Sequence, residues 1–267
     1  MVHGLVDCEG LSFEAVLEDV EQLNQRALNH NPEVCKVSYR LITEIFNRYK
    51  ILPCGSALGF GNGPLFVSRE PLETIDVKTR IAIPGIHTTA SFLLRFAYPQ
   101  AVNTKSILFS EISDAILRNE FDAGVLIHEG RFVYHEQGLH LLADLGKYWE
   151  ERTKLPIPLG GIVVSRNLSE SLQQKIARIL HRSIQYGMDH PLESWEYVHS
   201  NAKELDNKVI RNHIELFVND YTLHLGEHGQ RAVMAMFGTI APQIAGEESG
   251  LSQTNTHLSD LFLPLAN

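Results

Sequence analysis

The sequence predicts an α/β fold of two lobes, with mainly parallel sheets and a helix-rich C-terminal part. Three observations lead to this prediction. Short apolar runs alternate with amphipathic segments of helical spacing as far as Ser165, and nearly all of the predicted elements after it are helices. The chain has 267 residues, 44% of them hydrophobic, which is enough for one large core or two smaller ones.

The first elements form two strand–helix units, followed by a glycine-rich stretch that leads into another strand. Alternation of apolar and polar residues indicates the first strand, and β-branched residues indicate the second. Glycine suits the irregular backbone of a loop. The predicted elements are a strand over 11–20, a helix over 20–28, a strand over 34–37, a helix over 39–49, a loop over 55–64 and a strand over 65–68.

The clearest unit follows, with a strand over 80–84, a turn at Gly85 and a helix over 88–96. Alternating strands and helices of this length are typical of a parallel sheet with helices on both faces. Further predicted elements are a strand over 106–109, a helix over 112–119, strands over 123–127 and 162–165, and helices near 168–188, 191–203, 207–218 and 227–237. The change to helix predicts a first lobe of 1–75 plus 166–267 and a second lobe of 76–165.

Charge and cysteine content narrow the class of protein. The net charge of −9 and the pI near 5.8 disfavour nucleic acid or an anionic membrane as a partner, since both require a basic face. The three cysteines form no C-x-x-C pair, which is typical of a reducing compartment. No secretory signal or membrane-spanning run is present in the sequence, so we predict a cytoplasmic protein.

Polar side chains follow three of the predicted strands. In open parallel sheets, ligands gather at the carboxyl ends of the strands. The residues at these positions are Ser38, the pair Thr88 and Thr89, and His128 after Ile127. Hydroxyls and free amides at a helix N-terminus can bind an anion without lysine. The threonines can equally serve as N-caps, and a lone histidine can equally be bonded to a carbonyl group. The reference pKa of histidine nevertheless makes His128 a usable base.

Two motifs match known binding patterns but lack the helix that those binding sites require. The run from His224 to His228 matches the H-x-x-E-H pattern of zinc peptidases, but Gly226 interrupts the helix that both ligands must share, so no metal site is predicted. The loop over 59–64 is rich in glycine but precedes a strand, whereas nucleotide-binding loops precede a helix.

Six blocks of sequence together resemble the 1,4-dihydroxy-6-naphthoate synthases of the futalosine route to menaquinone. They occur in the expected order and cover most of the chain, with a weaker match after residue 165. The blocks are LEDVEQLN from Leu17, KVSY from Lys36, GSALGFGNGPL from Gly55, IPGIHTTA from Ile83, GVLIHEGRF from Gly124 and WEERTKLPIPLG from Trp149.

The resemblance implies a fold like the type II periplasmic binding proteins, used here as an enzyme without metal or organic cofactor. It implies cleavage of cyclic dehypoxanthine futalosine to 1,4-dihydroxy-6-naphthoate and dihydroxyacetone, with His128 as the base. The family's substrate cleft is lined by residues that match Ser38, Thr88, Thr89 and Ile127 of this chain. The expected partner is therefore a small aromatic carboxylate, and the resemblance leaves the oligomeric state open.

The start of the chain departs from the family pattern. Members begin with another strand and a Ser-Pro-Cys-Pro-Asn-Asp-Thr-Phe-like stretch, so we expect the start codon to lie further upstream; the alternative is a degenerate protein. Two other functions stay open. One is chorismate dehydratase, a sister enzyme on the same scaffold, which the block around His128 disfavours. The other is a binding protein that captures an aromatic carboxylate without turnover.

Overall fold

The computed structural model describes residues 1–202, 206–245 and 260–264 as an α/β protein with two sheets. The strands are β1 (Val34–Ser38), β2 (Tyr49–Ile51), β3 (Ala57–Gly59), β4 (Leu65–Ser68), β5 (Ile81–Ile83), β6 (Thr104–Ser106), β7 (Ala123–Leu126), β8 (His140–Asp144) and β9 (Ile157–Ser165). The helices are α1 (Val20–Asn29), α2 (Ile42–Ile45), α3 (Thr89–Ala97), α4 (Ile112–Leu117), α5 (Gly130–Val133), α6 (Leu145–Thr153), α7 (Glu170–Asp189), α8 (Pro191–Asn201), α9 (Asn207–Phe217), α10 (Asp220–Leu223) and α11 (Gly226–Ala245).

The first sheet is built around β9, and all of its pairings are antiparallel. Along one edge of β9, Val34 to Ser38 of β1 pair with Val164 to Gly160. Along the other edge, β2 pairs near Ser165 and β3 pairs near Ile157, so the two short strands lie end to end. The nine residues of β9 therefore hold the whole first sheet together.

The second sheet has the order β6–β5–β7–β4–β8. Parallel pairing is confined to β5 with its neighbours β6 and β7, which α3 and α4 connect. Strand β4 pairs antiparallel with both β7 and β8. The prediction of two α/β lobes is confirmed, but the prediction of mainly parallel sheets is wrong for the described strands. Parallel neighbours need a helical crossover, and here only the β5–α3–β6–α4–β7 segment provides one.

Several predicted elements differ from the structure. No strand forms over 11–19, where Leu17 is 66% exposed and no residue pairs with a strand of either sheet. Helix α1 begins at Val20 because the Asp19 carboxylate accepts hydrogen bonds from the first backbone amides. The three short strands β2, β3 and β8, and the helix α6, were not predicted.

The two sheets divide the chain differently from the predicted lobe boundaries. Strand β4 belongs to the second sheet, although 1–75 was assigned to the first lobe, and β9 belongs to the first sheet, although 76–165 was assigned to the second. We propose that the chain crosses between lobes after Gly59 and again after Thr153. The stretches 203–205, 246–259 and 265–267 of the predicted first lobe lie outside the described residues.

The C-terminal helices return to the first lobe. Asn219, the N-cap of α10, donates its side-chain amide to the Leu58 carbonyl oxygen at 2.9 Å, and the Leu225 N–H donates to the Pro53 carbonyl at 2.8 Å. Helix α9 packs near β3 as well. This return brings side chains of α9 to the edge of the first sheet. Among the described helices, none combines the length and apolar character required to cross a bilayer.

Candidate functional site

A cleft between the two sheets collects polar side chains from both lobes. It contains about 940 Å³ of empty space, part of which is open to solvent. Its walls come from the end of β1, the start of α3, the end of β7, the loop before β4 and helix α9. The side chains used below are Lys36, Ser38, Asn62, Thr88, Thr89, Ile127, His128, Arg131, His213 and Phe217.

His128 lies just beyond the end of β7, in an unusual backbone conformation. Its φ of +52° is in the left-handed region, which non-glycine residues seldom adopt and which is often found at functional sites. The ring of Phe109 meets the imidazole edge to face at 5.1 Å. Burial, the nearby His213 and the positive charge of Lys36 lower the pKa of His128 to about 4. The imidazole is therefore neutral, with a free lone pair, at neutral pH.

His213 brings a second imidazole into the cleft from α9. Its ring centroid lies 5.8 Å from that of His128 and 4.6 Å from that of Phe217, one helical turn away. The Nε2 atom is buried and has no hydrogen-bond partner within the described chain. Burial and the positive charge of Lys36 lower the pKa of His213 to about 4. Two neutral imidazoles thus line the same part of the cleft.

Lys36 projects from β1 into the same space. Its side chain keeps access to the solvent of the cleft, while the protein around its ammonium group lowers the pKa of Lys36. No ion pair involves Lys36 among the described residues. An uncompensated cation in a partly enclosed cleft is an attractive site for an anion.

Ser38, at the end of β1, is held by a buried asparagine. The Nδ2 of Asn24 donates to the Ser38 hydroxyl oxygen at 3.0 Å, and the Ser38 N–H donates to Oδ1 of Asn24 at 2.9 Å. The hydroxyl oxygen therefore accepts a bond, and its proton stays available for a ligand. Asn24 is fully buried, so this arrangement is fixed by packing as well as by hydrogen bonds.

The two threonines at the start of α3 are engaged within the protein. Thr88 is the N-cap: its hydroxyl accepts from the Ser91 N–H and donates to the Gly85 carbonyl. The Thr89 hydroxyl donates to the Leu159 carbonyl at 2.8 Å and so ties the second lobe to β9. The N-capping alternative is thus correct for Thr88. Thr89 and Ala90, in the first turn of α3, line the cleft, and the first N–H groups of a helix have no partner within the helix.

Asn62 lies in the glycine-rich loop before β4 and is 1% exposed. Both Oδ1 and Nδ2 are buried without a hydrogen-bond partner in the part of the chain that the structure describes. The loop is held in place by Arg131, which donates to the Gly63 carbonyl at 2.5 Å. Gly63 itself lies against Gly146 so closely that a Cβ on Gly63 would come within 2.3 Å of its Cα. The loop thus presents a rigid, unsatisfied amide.

A carboxylate–imidazole pair lies beside the cleft, on residues adjacent to Val20 and Thr88 of its lining. Oε1 of Glu21, on α1, lies 2.7 Å from Nδ1 of His87, in the turn before α3. The same carboxylate group occupies the space that a Cβ on Gly85 would need. Burial acts to raise the pKa of Glu21, but hydrogen bonds from His87, Gln25 and Asn24 outweigh it and lower the pKa. The pair therefore stabilises the charged carboxylate between the two lobes.

The structure brings all the sequence-predicted site residues, Ser38, Thr88, Thr89, Ile127 and His128, to this one cleft. Sequence reasoning missed Lys36, Asn62 and His213 as site residues. The histidines of the H-x-x-E-H run are separated: His224 contacts His181 at 3.2 Å, whereas His228 bonds to the Tyr221 hydroxyl. Within the described residues, no three His, Cys, Asp or Glu side chains are grouped as metal ligands.

Comparison with solved structures identifies the fold that contains this cleft. A solved protein from Archaeoglobus fulgidus superimposes with a TM-score of 0.85 at 35% identity, covering 90% of both chains. The aliphatic sulphonate binding protein SsuA of Escherichia coli gives 0.54 at 12% identity, covering 83% of this chain and 75% of its own. A Candida albicans protein with the generic periplasmic binding protein fold gives 0.58 at 11% identity, covering 90% and 80%. The chain therefore has a periplasmic-binding-protein-like fold.

Sequence relatives narrow the class further. The family model described as "Menaquinone biosynthesis" matches residues 1–242. The 1,4-dihydroxy-6-naphthoate synthase of Thermus thermophilus is 42% identical over 89% of this chain and 86% of its own. That of Streptomyces coelicolor is 36% identical over 91% and 87%. The chain belongs to the menaquinone biosynthesis family and is an enzyme.

Proposed function

We propose that the protein is a lyase that cleaves cyclic dehypoxanthine futalosine to 1,4-dihydroxy-6-naphthoate and dihydroxyacetone. The observation that carries this proposal is the neutral imidazole of His128, fixed at the end of β7 in a cleft that also contains a free cation. The names of the two sequence relatives support the same reaction.

In this proposal His128 is the general base. Its pKa of about 4 ensures that the free enzyme carries the base in its neutral form at pH 7. A base with so low a pKa is weak, because proton-transfer driving force falls with basicity. An anionic substrate beside Lys36 would cancel part of the positive field and raise the pKa of His128. Substrate binding would therefore strengthen the base at the moment it is needed.

The substrate carboxylate would be held by three kinds of donor where the end of β1 faces the start of α3. These are the Lys36 ammonium group, the uncommitted Ser38 hydroxyl proton and the backbone N–H groups at the start of α3. The hydroxyls of Thr88 and Thr89 would shape this site without donating to the ligand, because their protons are already donated to carbonyl groups. Ile127 and Phe217 would supply the apolar contacts for the aromatic ring.

The proposed reaction removes one proton and returns one, so it consumes neither an oxidant nor water. Formation of a second aromatic ring would drive it forward. The polar groups of the chain that line the cleft would supply position and proton transfer. We also propose that the reaction takes place in the cytoplasm and that the substrate, an aromatic carboxylate, is a free small molecule.

The test is turnover by the purified chain. The protein is mixed with cyclic dehypoxanthine futalosine at a large molar excess, and 1,4-dihydroxy-6-naphthoate is followed by chromatography with mass detection. Many equivalents of product per enzyme are expected. Binding of one equivalent of substrate without product would indicate a carboxylate-binding protein instead. Turnover of chorismate in a parallel reaction would indicate the sister dehydratase.

A further inference from the structure

We propose that His213 is the second proton-transfer residue of this cleft and returns a proton to the three-carbon fragment that leaves. The proposal rests on the lyase function proposed above. It concerns a different step from the one given to His128, and a different lobe.

The position of His213 is the first argument. It lies on α9, in the helical part of the chain that returns to the first lobe, whereas His128 follows β7 in the second. The two ring centroids are 5.8 Å apart with an interplanar angle of 43°, and no hydrogen bond joins the rings among the described contacts. Both imidazoles can therefore reach the same small fragment, each with its own nitrogen.

The unsatisfied Nε2 of His213 is the second argument. A buried polar atom without a partner costs about 1–3 kcal/mol, and this nitrogen is buried without one in the described chain. The ring of Phe217 packs against the imidazole at 4.6 Å with an interplanar angle of 38° and so restricts its rotation. A ligand in the cleft would provide the missing partner.

The charges around His213 are the third argument. Burial and Lys36 keep its imidazole neutral, and His128 is the other titratable group that faces it. A neutral imidazole with its proton on Nε2 can donate to a developing enolate, a role in which a lowered pKa is an advantage. An imidazolium at this place would repel both Lys36 and the protonated His128.

The other polar groups of the cleft are less suited to this step. Arg131 is engaged with the Gly63 carbonyl and lies 3.9 Å from Asp144. Thr88 and Thr89 donate their protons to backbone carbonyls. The amide of Asn62 can donate a hydrogen bond but not a proton at any useful pKa. With Lys36 and Ser38 assigned to the substrate carboxylate, His213 remains as a donor whose proton is not committed.

The proton balance of the step is complete. His128 takes a proton from the ring part of the substrate, and the electron pair left behind forms a new π bond in that ring. The carbon–carbon bond to the three-carbon fragment breaks, and its electron pair stays on the fragment as an enediolate. His213 donates a proton that forms the new carbon–hydrogen bond of dihydroxyacetone. Passage of the first proton from His128 to His213 through solvent restores both rings.

Chemical rescue tests the proposal. Three variants are prepared, His213→Ala, His213→Phe and, as a matched control, His199→Ala, which removes an exposed histidine from α8. Each is assayed with and without added imidazole, and folding is checked by thermal melting. We expect kcat to fall about a hundred- to ten-thousandfold in His213→Ala and His213→Phe. Added imidazole should restore part of the rate to His213→Ala alone, because phenylalanine fills the site.

The outcomes separate the two proposals. No product from the unaltered chain overturns the lyase function and this inference with it. Product from the unaltered chain, with kcat of folded His213→Ala or His213→Phe within twofold of it, overturns this inference alone. A lower kcat that imidazole does not restore shows a packing role and also overturns it. Rescue that rises as the basicity of substituted imidazoles falls supports proton donation, because a more acidic N–H group gives up its proton more readily.

Discussion

The two sides of the cleft differ in whether their buried polar side chains have hydrogen-bond partners within the protein. Around the end of β1 and the start of α3, hydrogen bonds within the protein engage the side chains of Asn24, on α1, and of Thr88 and Thr89. On the side of α9 and the glycine-rich loop, Asn62 and His213 have buried polar atoms without a partner among the described residues. The hydrogen bonds of these three side chains fix the shape of the first side. On the second side, a ligand would supply hydrogen-bond partners for these atoms.

The largest expected effect is that of replacing His128, whose lone pair is free for chemistry. His128→Ala should lower kcat by about a hundred- to ten-thousandfold, the usual contribution of a general base. His135→Ala, which removes an imidazole 62% exposed in the same lobe, is the control and should retain the rate. Steady-state kinetics with the naphthoate assay measures both. Near-normal turnover by His128→Ala would remove this residue from the mechanism.

Lys36 links the two sides, because it lies on β1 and lowers the pKa of both histidines. Lys36→Met should raise KM about ten- to a hundredfold by removing a charged hydrogen bond to the carboxylate. It should also raise the pKa of His128, so the acid limb of kcat/KM moves from about pH 4 toward higher pH. Lys147→Met, at an exposed position, is the control. An unmoved acid limb would contradict the electrostatic role.

Two buried asparagines test this comparison, because replacement by leucine should change the free energy of unfolding in opposite directions at Asn62 and Asn24. Asn62→Leu removes unpaired polar atoms and should raise the free energy of unfolding by about 1–3 kcal/mol. Asn24→Leu breaks two hydrogen bonds to Ser38 and should lower it by a similar amount.

Denaturant titration of the two variants measures this sign. Thermal melting with 1,4-dihydroxy-6-naphthoate measures whether Asn62→Leu loses the stabilisation that a bound ligand provides. Destabilisation by Asn62→Leu would mean that the amide is satisfied in solution, and the contrast between the two sides would then disappear.

The smallest effect is expected at Thr88, whose hydroxyl acts within the protein. Thr88→Ala should lower the free energy of unfolding by about 1 kcal/mol through loss of the N-cap. Thr88→Ser keeps the oxygen and should restore most of it. KM should change little in Thr88→Ser, and a large rise there would indicate direct contact with substrate.

Local signals in the sequence account for the part of the site that was predicted. Ser38 and His128 follow apolar strands, and Thr88 begins a helix, so their positions depend on neighbouring residues. Asn62 and His213 are different, because their role depends on how a loop and a late helix pack against distant strands. His213 lies on an amphipathic helix, where a histidine is compatible with an ordinary packing position.

The same distinction, between local signals and contacts with distant strands, explains the errors in the predicted fold. The unit from β5 to β7 was predicted because its helices and strands alternate locally. The short strands β2 and β3 were missed because their pairing partner, β9, is far along the chain. The strand predicted over 11–20 shows the converse, since alternation without a neighbouring strand does not make a sheet.

The dependence of the first sheet on β9 has a consequence for synthesis on the ribosome. Val34 pairs with Val164, so β1 leaves the ribosome long before the strand that completes it. All five strands of the second sheet, from β4 to β8, emerge in between. The second lobe should therefore fold first, while the edges of β1, β2 and β3 stay open to misassembly. Slow translation before Ile157 would prolong this exposed state and favour aggregation.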